Sequence, residues 1–225
     1  MTKRVVVITG AVALPRRAVA AIPPDALVVA VDGGLDHSLA AGITPDRLVG
    51  DLDSITDDGF AWATEHIDVE RHPTDKDETD TQLALRRALE LGAEHVTVIG
   101  GGDRLDHTLA AIGALAAPHL AVLDRLDAWW DGQHVRVLHA PRRVELEAPV
   151  GSTVSVVAIG AVPAVVSIAG VKWPLDRHEL PALDGLGVSN EVRDRAAVEA
   201  HSGVLAVFEV AAEPPTIPHR QEDPG

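Results

Sequence analysis

The chain contains no cysteine, and positively charged residues are scarce in it. The lack of cysteine excludes disulfides, thiolate metal sites and cysteine nucleophiles. The 225 residues include 19 Lys and Arg against 34 Asp and Glu, which gives a formal net charge of −15. A protein with this charge repels nucleic acid and anionic membranes, so neither is expected as a partner. Any phosphate-bearing ligand would need metal ions or local cations between itself and the protein.

A recognisable targeting or membrane-spanning segment is also missing. Residues 1–10 lack the long apolar core of a signal peptide, so a cytoplasmic location is expected. Residues 150–171 carry no charge, but glycine, serine and proline interrupt them. This composition suits buried strands better than a membrane helix.

Three common catalytic signatures do not occur in the sequence. These are the Gly-x-x-x-x-Gly-Lys-Ser/Thr phosphate loop, the Gly-x-Ser-x-Gly nucleophile elbow and the His-Glu-x-x-His zinc helix. The 11 histidines show no ligand spacing. His37, His107 and His201 lie beside motifs described below, and we predict surface or supporting roles for them rather than catalysis.

The spacing of hydrophobic residues differs between two parts of the chain. Up to residue 127, β-branched runs at residues 5–8, 27–31 and 96–99 alternate with helical patterns at residues 79–91 and 106–117, as in a parallel sheet flanked by helices. From residue 133 the helical spacing fades, and apolar runs follow one another at residues 135–138, 144–146, 153–159, 165–168 and 204–210. We predict an α/β domain over residues 1–131, an antiparallel β-sandwich over residues 132–212, and a disordered proline-rich tail over residues 213–225.

Four acidic clusters fall where the predicted sheet has loops. They are Asp32-Gly33-Gly34, Asp51-Leu52-Asp53-Ser54, the Asp-Lys-Asp-Glu-Thr-Asp run at residues 75–80, and the Gly-Gly-Gly-Asp-Arg-Leu-Asp-His run at residues 100–107. In open parallel sheets, ligands bind beyond the carboxyl ends of the strands. Taken singly, each cluster also fits a turn or a helix cap, with Asp53-Ser54 and Asp106 as caps of the helices that follow. Together, the carboxylates would repel one another unless a cation were bound, and we expect Mg²⁺.

These clusters resemble the acidic motifs of the thiamine pyrophosphokinase family. That family carries Asp-Gly-Gly, Gly-Asp-x-Asp-Ser, Asp-x-Asp-x-Thr-Asp and Gly-Gly-x-x-x-Asp-His in this order. Residues 170–175, Gly-Val-Lys-Trp-Pro-Leu, resemble its Gly-Leu-Lys-Trp/Tyr-x-Leu segment, and residues 187–190, Gly-Val-Ser-Asn, resemble its Gly-x-Ser-Asn segment. Six ordered matches cover roughly residues 5–210, which makes the resemblance specific.

The resemblance implies a Rossmann-like domain that binds ATP and Mg²⁺, followed by a β-sandwich that binds thiamine and forms a homodimer. It implies that thiamine's hydroxyl attacks the β-phosphorus of ATP, which releases AMP, with the thiamine site between subunits. The implied residues fall into four groups: Asp51, Asp53, Asp80 and Asp106 for catalysis; Asp51, Asp53 and Asp80 for the metal; Asp32, Gly33, Gly34, Lys76, Asp77, Thr79 and Arg104 for ATP; and Trp173, Ser189 and Asn190 for thiamine.

Two departures from the family pattern accompany this interpretation, and several alternatives stay open. Asp36 stands where the family often has asparagine, and Leu52 stands where phenylalanine is common. Trp173 fits either a packed core position or a stacking surface for thiamine. The proton acceptor is Asp80 or Asp106. The alternative functions are a diphosphokinase of the same fold that acts on a hydroxymethylpterin, and a non-catalytic sensor of nucleotide or thiamine.

Overall fold

The computed structural model describes residues 2–10, 12–73, 75, 77–100, 104–130 and 132–210. Lys76, residues 101–103 before Arg104 and the predicted tail at residues 213–225 lie outside the described residues. Within them, no helix is long and apolar enough to cross a membrane.

The first part of the chain is an α/β layer, as predicted. Its strands are β1 Arg4–Ile8, β2 Leu27–Val31, β3 Arg47–Gly50, β4 Asp68–Arg71, β5 His95–Gly100 and β6 Arg125–Trp130. Its helices are α1 Arg16–Ala20, α2 Gly34–Ala40, α3 Asp57–His66, α4 Asp80–Glu90 and α5 Leu105–Leu115, with a 3-10 helix at Pro118–Val122. The six strands pair in parallel in the order β6-β5-β1-β2-β3-β4, so all their carboxyl ends lie at one edge.

Helix α4 begins where the sequence predicts. Thr79 is its N-cap and forms a capping box with Gln82, in which each side chain accepts a hydrogen bond from the other residue's backbone N–H. The alternative interpretation of Asp53-Ser54 and Asp106 as helix caps does not hold. Thr56, not Asp53 or Ser54, caps α3 by accepting from the backbone N–H of Gly59, because the acidic loop continues beyond Ser54 before the helix begins. Asp106 lies in the first turn of α5, after the N-cap position.

The second part is antiparallel, and its strands continue the same sheet. They are β7 Gln133–His139, β8 Arg142–Glu145, β9 Thr153–Ala158, β10 Ala164–Val171, β11 Leu175–Leu180, β12 Asn190–Ser202 and β13 Val204–Val210. The path runs β6-β7-β13-β9-β12-β10-β11, and β8 also pairs with β12. Most of their inward side chains form a second apolar core, whereas Val135, Val137 and Ala206 belong to the core under α4 and α5. Because β6 pairs with β7, backbone hydrogen bonds join the two parts.

A buried ionic network lies at this junction. His134 on β7 lies 3.7 Å from a carboxylate oxygen of Asp127 on β6 and 3.6 Å from one of Glu209 on β13. Arg136 forms a 2.9 Å ion pair with Glu209. Burial by itself would lower the pKa of His134, but the two carboxylates raise it to about 9. His134 is therefore charged at neutral pH and holds three neighbouring strands together.

Candidate active site

A cleft of about 570 Å³ opens at the carboxyl edge of the parallel strands. This is the edge at which open α/β sheets bind ligands. The residues that line it come from the ends of β1, β2 and β6, from the loop after β3, and from the starts and bodies of α4 and α5: Thr9, Gly10, Val31, Asp32, Asp51, Asp53, Ser54, Thr79, Asp80, Thr81, Arg104, His107, Thr108, Ala110, Ala111 and Trp130. All four acidic clusters predicted from the sequence thus meet the cleft through described side chains.

Three carboxylates converge inside the cleft. Asp32 follows β2, Asp51 follows β3, and Asp80 opens α4. One oxygen of each lies within 4.8 Å of the others, and all three residues are half-buried. Carboxylate oxygens at this spacing are suited to a hard divalent cation such as Mg²⁺. Asp53, predicted as a ligand, lies outside this trio; it is exposed and lines the same cleft.

The environment of Asp32 shows the electrostatic cost of this arrangement. Burial, together with the negative charges of Asp80, Asp51 and Asp53, raises the pKa of Asp32 to about 6, although a hydrogen bond from the backbone N–H of Leu52 opposes the shift. Gly50 makes the close approach possible, because a side chain there would collide with the Asp32 carboxylate. A bound cation would relieve the repulsion among the carboxylates.

The backbone of both acidic loops is strained. Asp32 has a φ of 45° and Leu52 a φ of 68°, values that non-glycine residues rarely adopt. Ser189, in the Gly-x-Ser-Asn segment, has a φ of 58°. Three of the five described non-glycine residues with positive φ therefore fall in the predicted motifs. Such strain is concentrated at functional sites in proteins.

Asp36 connects two helices beside the cleft. Its carboxylate accepts hydrogen bonds from the backbone N–H (2.9 Å) and the hydroxyl (2.7 Å) of Thr56, the cap of α3. Asp36 is not among the cleft-lining residues, so its described role is to fix the start of α3 relative to α2. Leu52, the second departure from the family pattern, packs its side chain against the apolar cluster beneath α2 and α3.

Arg104 and Asp106 form a pair at the start of α5. The guanidinium donates two hydrogen bonds to the carboxylate, at 2.6 and 3.2 Å, and both side chains are exposed. The pair lowers the pKa of Asp106, because the hydrogen bonds from Arg104 stabilise the carboxylate. Arg104 lines the cleft and Asp106 does not. A lowered pKa and a position outside the cleft make Asp106 the weaker of the two predicted proton acceptors.

The remaining predicted ATP-contacting residues are placed differently from one another. Thr79 lines the cleft while its hydroxyl caps α4. Asp77 is exposed and does not line the cleft. Gly33 and Gly34 are buried behind Asp32: the N–H of Gly33 donates to the Ser54 hydroxyl (3.3 Å), and a side chain on Gly34 would collide with the backbone of β1. The two glycines therefore serve close packing. Lys76 lies outside the described residues.

The predicted thiamine-binding residues lie together in the antiparallel part. The buried Asn190 side chain accepts a hydrogen bond from the backbone N–H of Trp173 (3.0 Å) and donates one to its carbonyl oxygen (2.8 Å). The Trp173 indole is 55% exposed, which excludes the core position. The Lys172 ammonium lies 4.4 Å from the ring centroid. Asn190 thus positions Trp173, and neither these residues nor Ser189 lines the cleft of the same chain.

Sequence patterns did not identify several residues of the cleft wall. Thr9 and Trp130 belong to no acidic motif, Thr108 comes directly after one without being part of it, and His107 was expected to have a supporting role. The only signal available for Thr9 and Trp130 was their position at the carboxyl end of a strand. His201, another histidine beside a motif, has a hydrogen bond to Ser167 (2.8 Å), in keeping with a structural role.

Comparison with known proteins shows which family the chain resembles. The model of the thiamin pyrophosphokinase catalytic domain matches residues 21–122, and the model of the thiamin pyrophosphokinase vitamin B1 binding domain matches residues 137–205. A curated thiamine pyrophosphokinase from Bacillus subtilis (strain 168) is 26% identical over 193 residues, which cover 81% of this chain and 86% of that protein.

Solved structures show the same relationship. The crystal structure of thiamine pyrophosphokinase from Bacillus subtilis superposes with a TM-score of 0.77 at 26% identity, and covers 92% of this chain and 98% of the other. A thiamin pyrophosphokinase family protein from Enterococcus faecalis superposes with a TM-score of 0.76 at 26% identity, covering 94% and 100%. The matches of both domain models along most of the chain show that the chain belongs to the thiamine pyrophosphokinase family.

Proposed function

We propose that this enzyme transfers the terminal diphosphate of ATP to thiamine and forms thiamine diphosphate and AMP. The thiamine hydroxyl oxygen forms a bond to the β-phosphorus, the bond from that phosphorus to the oxygen bridging to the α-phosphate breaks, and the hydroxyl proton is released. The observation that carries this proposal is the trio of Asp32, Asp51 and Asp80 at the sheet edge of a chain that matches both family domains.

The trio supports magnesium as the metal. Mg²⁺ prefers carboxylate oxygens together with phosphate oxygens of the substrate, and the repulsion among the three carboxylates favours a divalent cation. When bound, the ion would neutralise phosphate charge and orient the phosphate chain. Asp53 is proposed to contact the hydrated ion from the exposed side of the same loop. This arrangement resolves the conflict between a net charge of −15 and a polyanionic substrate.

Side chains around the trio supply the remaining chemistry. Arg104, which also lines the cleft, is proposed to bind the phosphates, with Asp106 holding its guanidinium in place. Lys76 and Thr79, the latter at the N-cap of α4, are proposed to contact phosphate oxygens. Asp80 is the better-placed of the two proposed proton acceptors, because it lines the cleft and Asp106 does not. In-line positioning and charge neutralisation are the main sources of catalysis in such transfers.

The positions of the predicted thiamine-binding residues support a homodimer. Trp173 is exposed and is held through its backbone by Asn190, the residue after Ser189, yet neither Trp173 nor Ser189 lines the cleft of its own chain. We propose that they complete the cleft of a second copy, with thiamine stacked on the indole face opposite Lys172. Under this proposal residues 1–131 form a Rossmann-like ATP domain, residues 132–212 a thiamine-binding and dimerisation sandwich, and the enzyme works in the cytoplasm.

The two alternative functions have less support. A hydroxymethylpterin diphosphokinase would need the acidic clusters but not the vitamin B1 binding domain that residues 137–205 match. A sensor without turnover would not need three carboxylates held together against their mutual repulsion.

The proposed function is tested by a chromatographic assay of the purified chain with ATP, thiamine and Mg²⁺. Equal amounts of thiamine diphosphate and AMP, both lost when Mg²⁺ is removed, would support it. Binding of ATP or thiamine in calorimetry without AMP production would instead favour the sensor.

A further inference from the structure

A second cavity lies at the opposite edge of the sheet from the cleft. Its volume is about 260 Å³, and it includes His95 and Arg125, the residues at which β5 and β6 begin. Its other walls come from β7 and β8 of the antiparallel part. No described residue lines both this cavity and the cleft. The cavity is therefore a separate feature, at the junction of the two parts of the chain.

Positively charged side chains are concentrated around this cavity. Four arginines from three strands line it: Arg125, Arg136, Arg142 and Arg143. They are four of only 19 Lys and Arg residues in a chain with a net charge of −15. Two carboxylates, Asp124 and Asp127, also line the cavity. Asp127 accepts a hydrogen bond from Arg125 and lies 3.7 Å from the charged His134, so its negative charge is already compensated.

The arginines differ in how many hydrogen-bond donors they have left. Arg136 is buried, and two ion pairs and a backbone carbonyl oxygen take up its guanidinium. Arg125 and Arg143 are about half exposed, and each contacts a single carboxylate. Because a guanidinium has five N–H donors, Arg125 and Arg143 keep donors for a further partner.

Arg142 has no carboxylate partner among the described residues. It pairs with Ala200 on β12, as Val144 pairs with Val198, so it lies on the face of β8 that packs on the apolar core. Its guanidinium donates to the backbone carbonyl oxygen of Asp124, and Arg142 is half-buried. A partly buried charge without a counter-ion destabilises the folded chain, which favours an anion beside it.

A neighbouring histidine senses this charge. Burial lowers the pKa of His139; its hydrogen bond to the carbonyl oxygen of Leu115 opposes the shift, and the positive charge of Arg142 lowers the pKa further. His139 is therefore neutral at pH 7. The charge of Arg142 acts on the surrounding protein instead of being cancelled by a carboxylate.

The size and the chemistry of the cavity together indicate one class of ligand. Its volume lies below the roughly 300–1,000 Å³ of sites for drug-sized molecules, so it suits a small ion better than a nucleotide. The planar guanidinium fork matches the oxygen atoms of phosphate, to which it can donate two parallel hydrogen bonds.

We propose that this cavity binds a small phosphate-bearing anion, either inorganic phosphate or inorganic diphosphate, through Arg142 together with Arg125 and Arg143. The anion connects β8 to β6 and so stabilises the junction between the α/β part and the antiparallel part. It takes no part in diphosphate transfer, because the cavity lies at the opposite sheet edge from the carboxylate trio.

Thermal unfolding and calorimetry without Mg²⁺ test the binding. Sodium phosphate or sodium diphosphate should raise the melting temperature of the wild type more than sodium chloride of equal ionic strength, which only screens charges. The anion with the lower Kd is the one that the site prefers. In Arg142→Gln this Kd should rise at least about 10-fold, as expected for the loss of charge-assisted hydrogen bonds. Arg16→Gln, which removes one charge at an exposed position outside the cavity, should bind like the wild type.

Two results would overturn the proposal. One is equal stabilisation by both phosphate salts and by sodium chloride. The other is an unchanged Kd in folded Arg142→Gln, which would mean that the anion binds elsewhere.

The location can also be measured on the wild type, without a variant that has to fold. In a proton–nitrogen correlation spectrum, the preferred anion should shift the backbone amide signals of residues 125–127 and 142–144 and leave those of residues 79–81 in the cleft unchanged. Shifts confined to the cleft would contradict the proposal. Arg142→Gln should keep the kcat and the KM values of the wild type; a loss of kcat in the folded variant would contradict a role separate from catalysis.

Discussion

The Asp32 carboxylate accepts a hydrogen bond from the backbone N–H of Leu52 at 3.0 Å. This bond connects the acidic loop after β2 to the acidic loop after β3 and holds Asp51 close to Asp32. Both bonded residues have positive φ values, so the contact depends on two strained positions at once. The carboxylate trio is therefore a property of two connected loops rather than of one motif.

Removal of one carboxylate charge from the trio should abolish most activity. Asp80→Asn keeps the size of the side chain but weakens both the metal site and the proposed proton acceptor, so kcat should fall at least about 100-fold with little change in thermal unfolding. Glu90→Gln, at the other end of α4, is the matched control and should retain activity. Near-normal turnover in Asp80→Asn would remove this residue from the site.

The raised pKa of Asp32 predicts a pH-dependent effect of Asp32→Asn on the metal-free protein. The folded-state pKa of about 6 lies above the ordinary value of 3.8, so the folded chain binds more protons between these values and loses stability as the pH rises through this window. Asn carries no proton to lose. At about pH 7.5 without metal, Asp32→Asn should therefore melt at a higher temperature than the wild type, and the difference should vanish below about pH 4. Addition of Mg²⁺ should stabilise the wild type more than the variant; a variant less stable than the metal-free wild type would contradict this electrostatic account.

Substitutions at Asn190 and Trp173 should have different effects on the free energy of unfolding but should both weaken thiamine binding. Asn190→Ala leaves the backbone N–H and carbonyl of Trp173 without their buried partner, so the free energy of unfolding should fall by roughly 1–3 kcal/mol, and KM for thiamine should rise. Trp173→Ala removes an exposed ring, so stability should change by less than about 0.5 kcal/mol while KM for thiamine rises. Urea titration and steady-state kinetics measure both effects. An unaffected KM for thiamine in Trp173→Ala would exclude stacking on this ring.

The proposed shared site predicts complementation between two inactive variants. Asp80→Asn lacks a working cleft and Trp173→Ala lacks the thiamine surface, but a mixed dimer would contain one site built from two intact halves. After subunit exchange in an equal mixture, about one site in four should be active, well above either variant alone. Light scattering of the wild type should give the mass of a dimer. A mixture no more active than its components would favour a site formed within one chain.

His134 should make stability depend on pH in the alkaline range. Its pKa is raised from 6.5 to about 9 by Asp127 and Glu209 despite burial, so its contribution is complete below pH 6.5 and is lost as the pH rises through 9. His134→Gln should reduce stability near pH 6.5 and should show a smaller decline between pH 6.5 and 9 than the wild type. His66→Gln, at an exposed position, is the control. Parallel declines in the wild type and His134→Gln would refute the role of this network.

Much of the α/β layer could be predicted, because β1, β2 and β5 are β-branched runs and α4 carries a complete capping box. Polar strands could not be predicted from hydrophobic patterns. The sequence of β11 is Leu-Asp-Arg-His-Glu-Leu, which has no apolar alternation, and the segment is a strand because it pairs with β10. The acidic motifs located the site. The position of Asp32 in the trio, the use of Asn190 to hold Trp173, and Trp130 in the wall depend on contacts between distant segments, which no local pattern encodes.

The identity of the attacked phosphorus tests the central claim most directly. The purified enzyme would be incubated with thiamine, Mg²⁺ and ATP that carries its radioactive label only at the β-phosphorus. The label should appear in thiamine diphosphate, with unlabelled AMP as the other product. Label recovered in ADP, together with unlabelled thiamine monophosphate, would mean attack at the γ-phosphorus and would contradict diphosphate transfer.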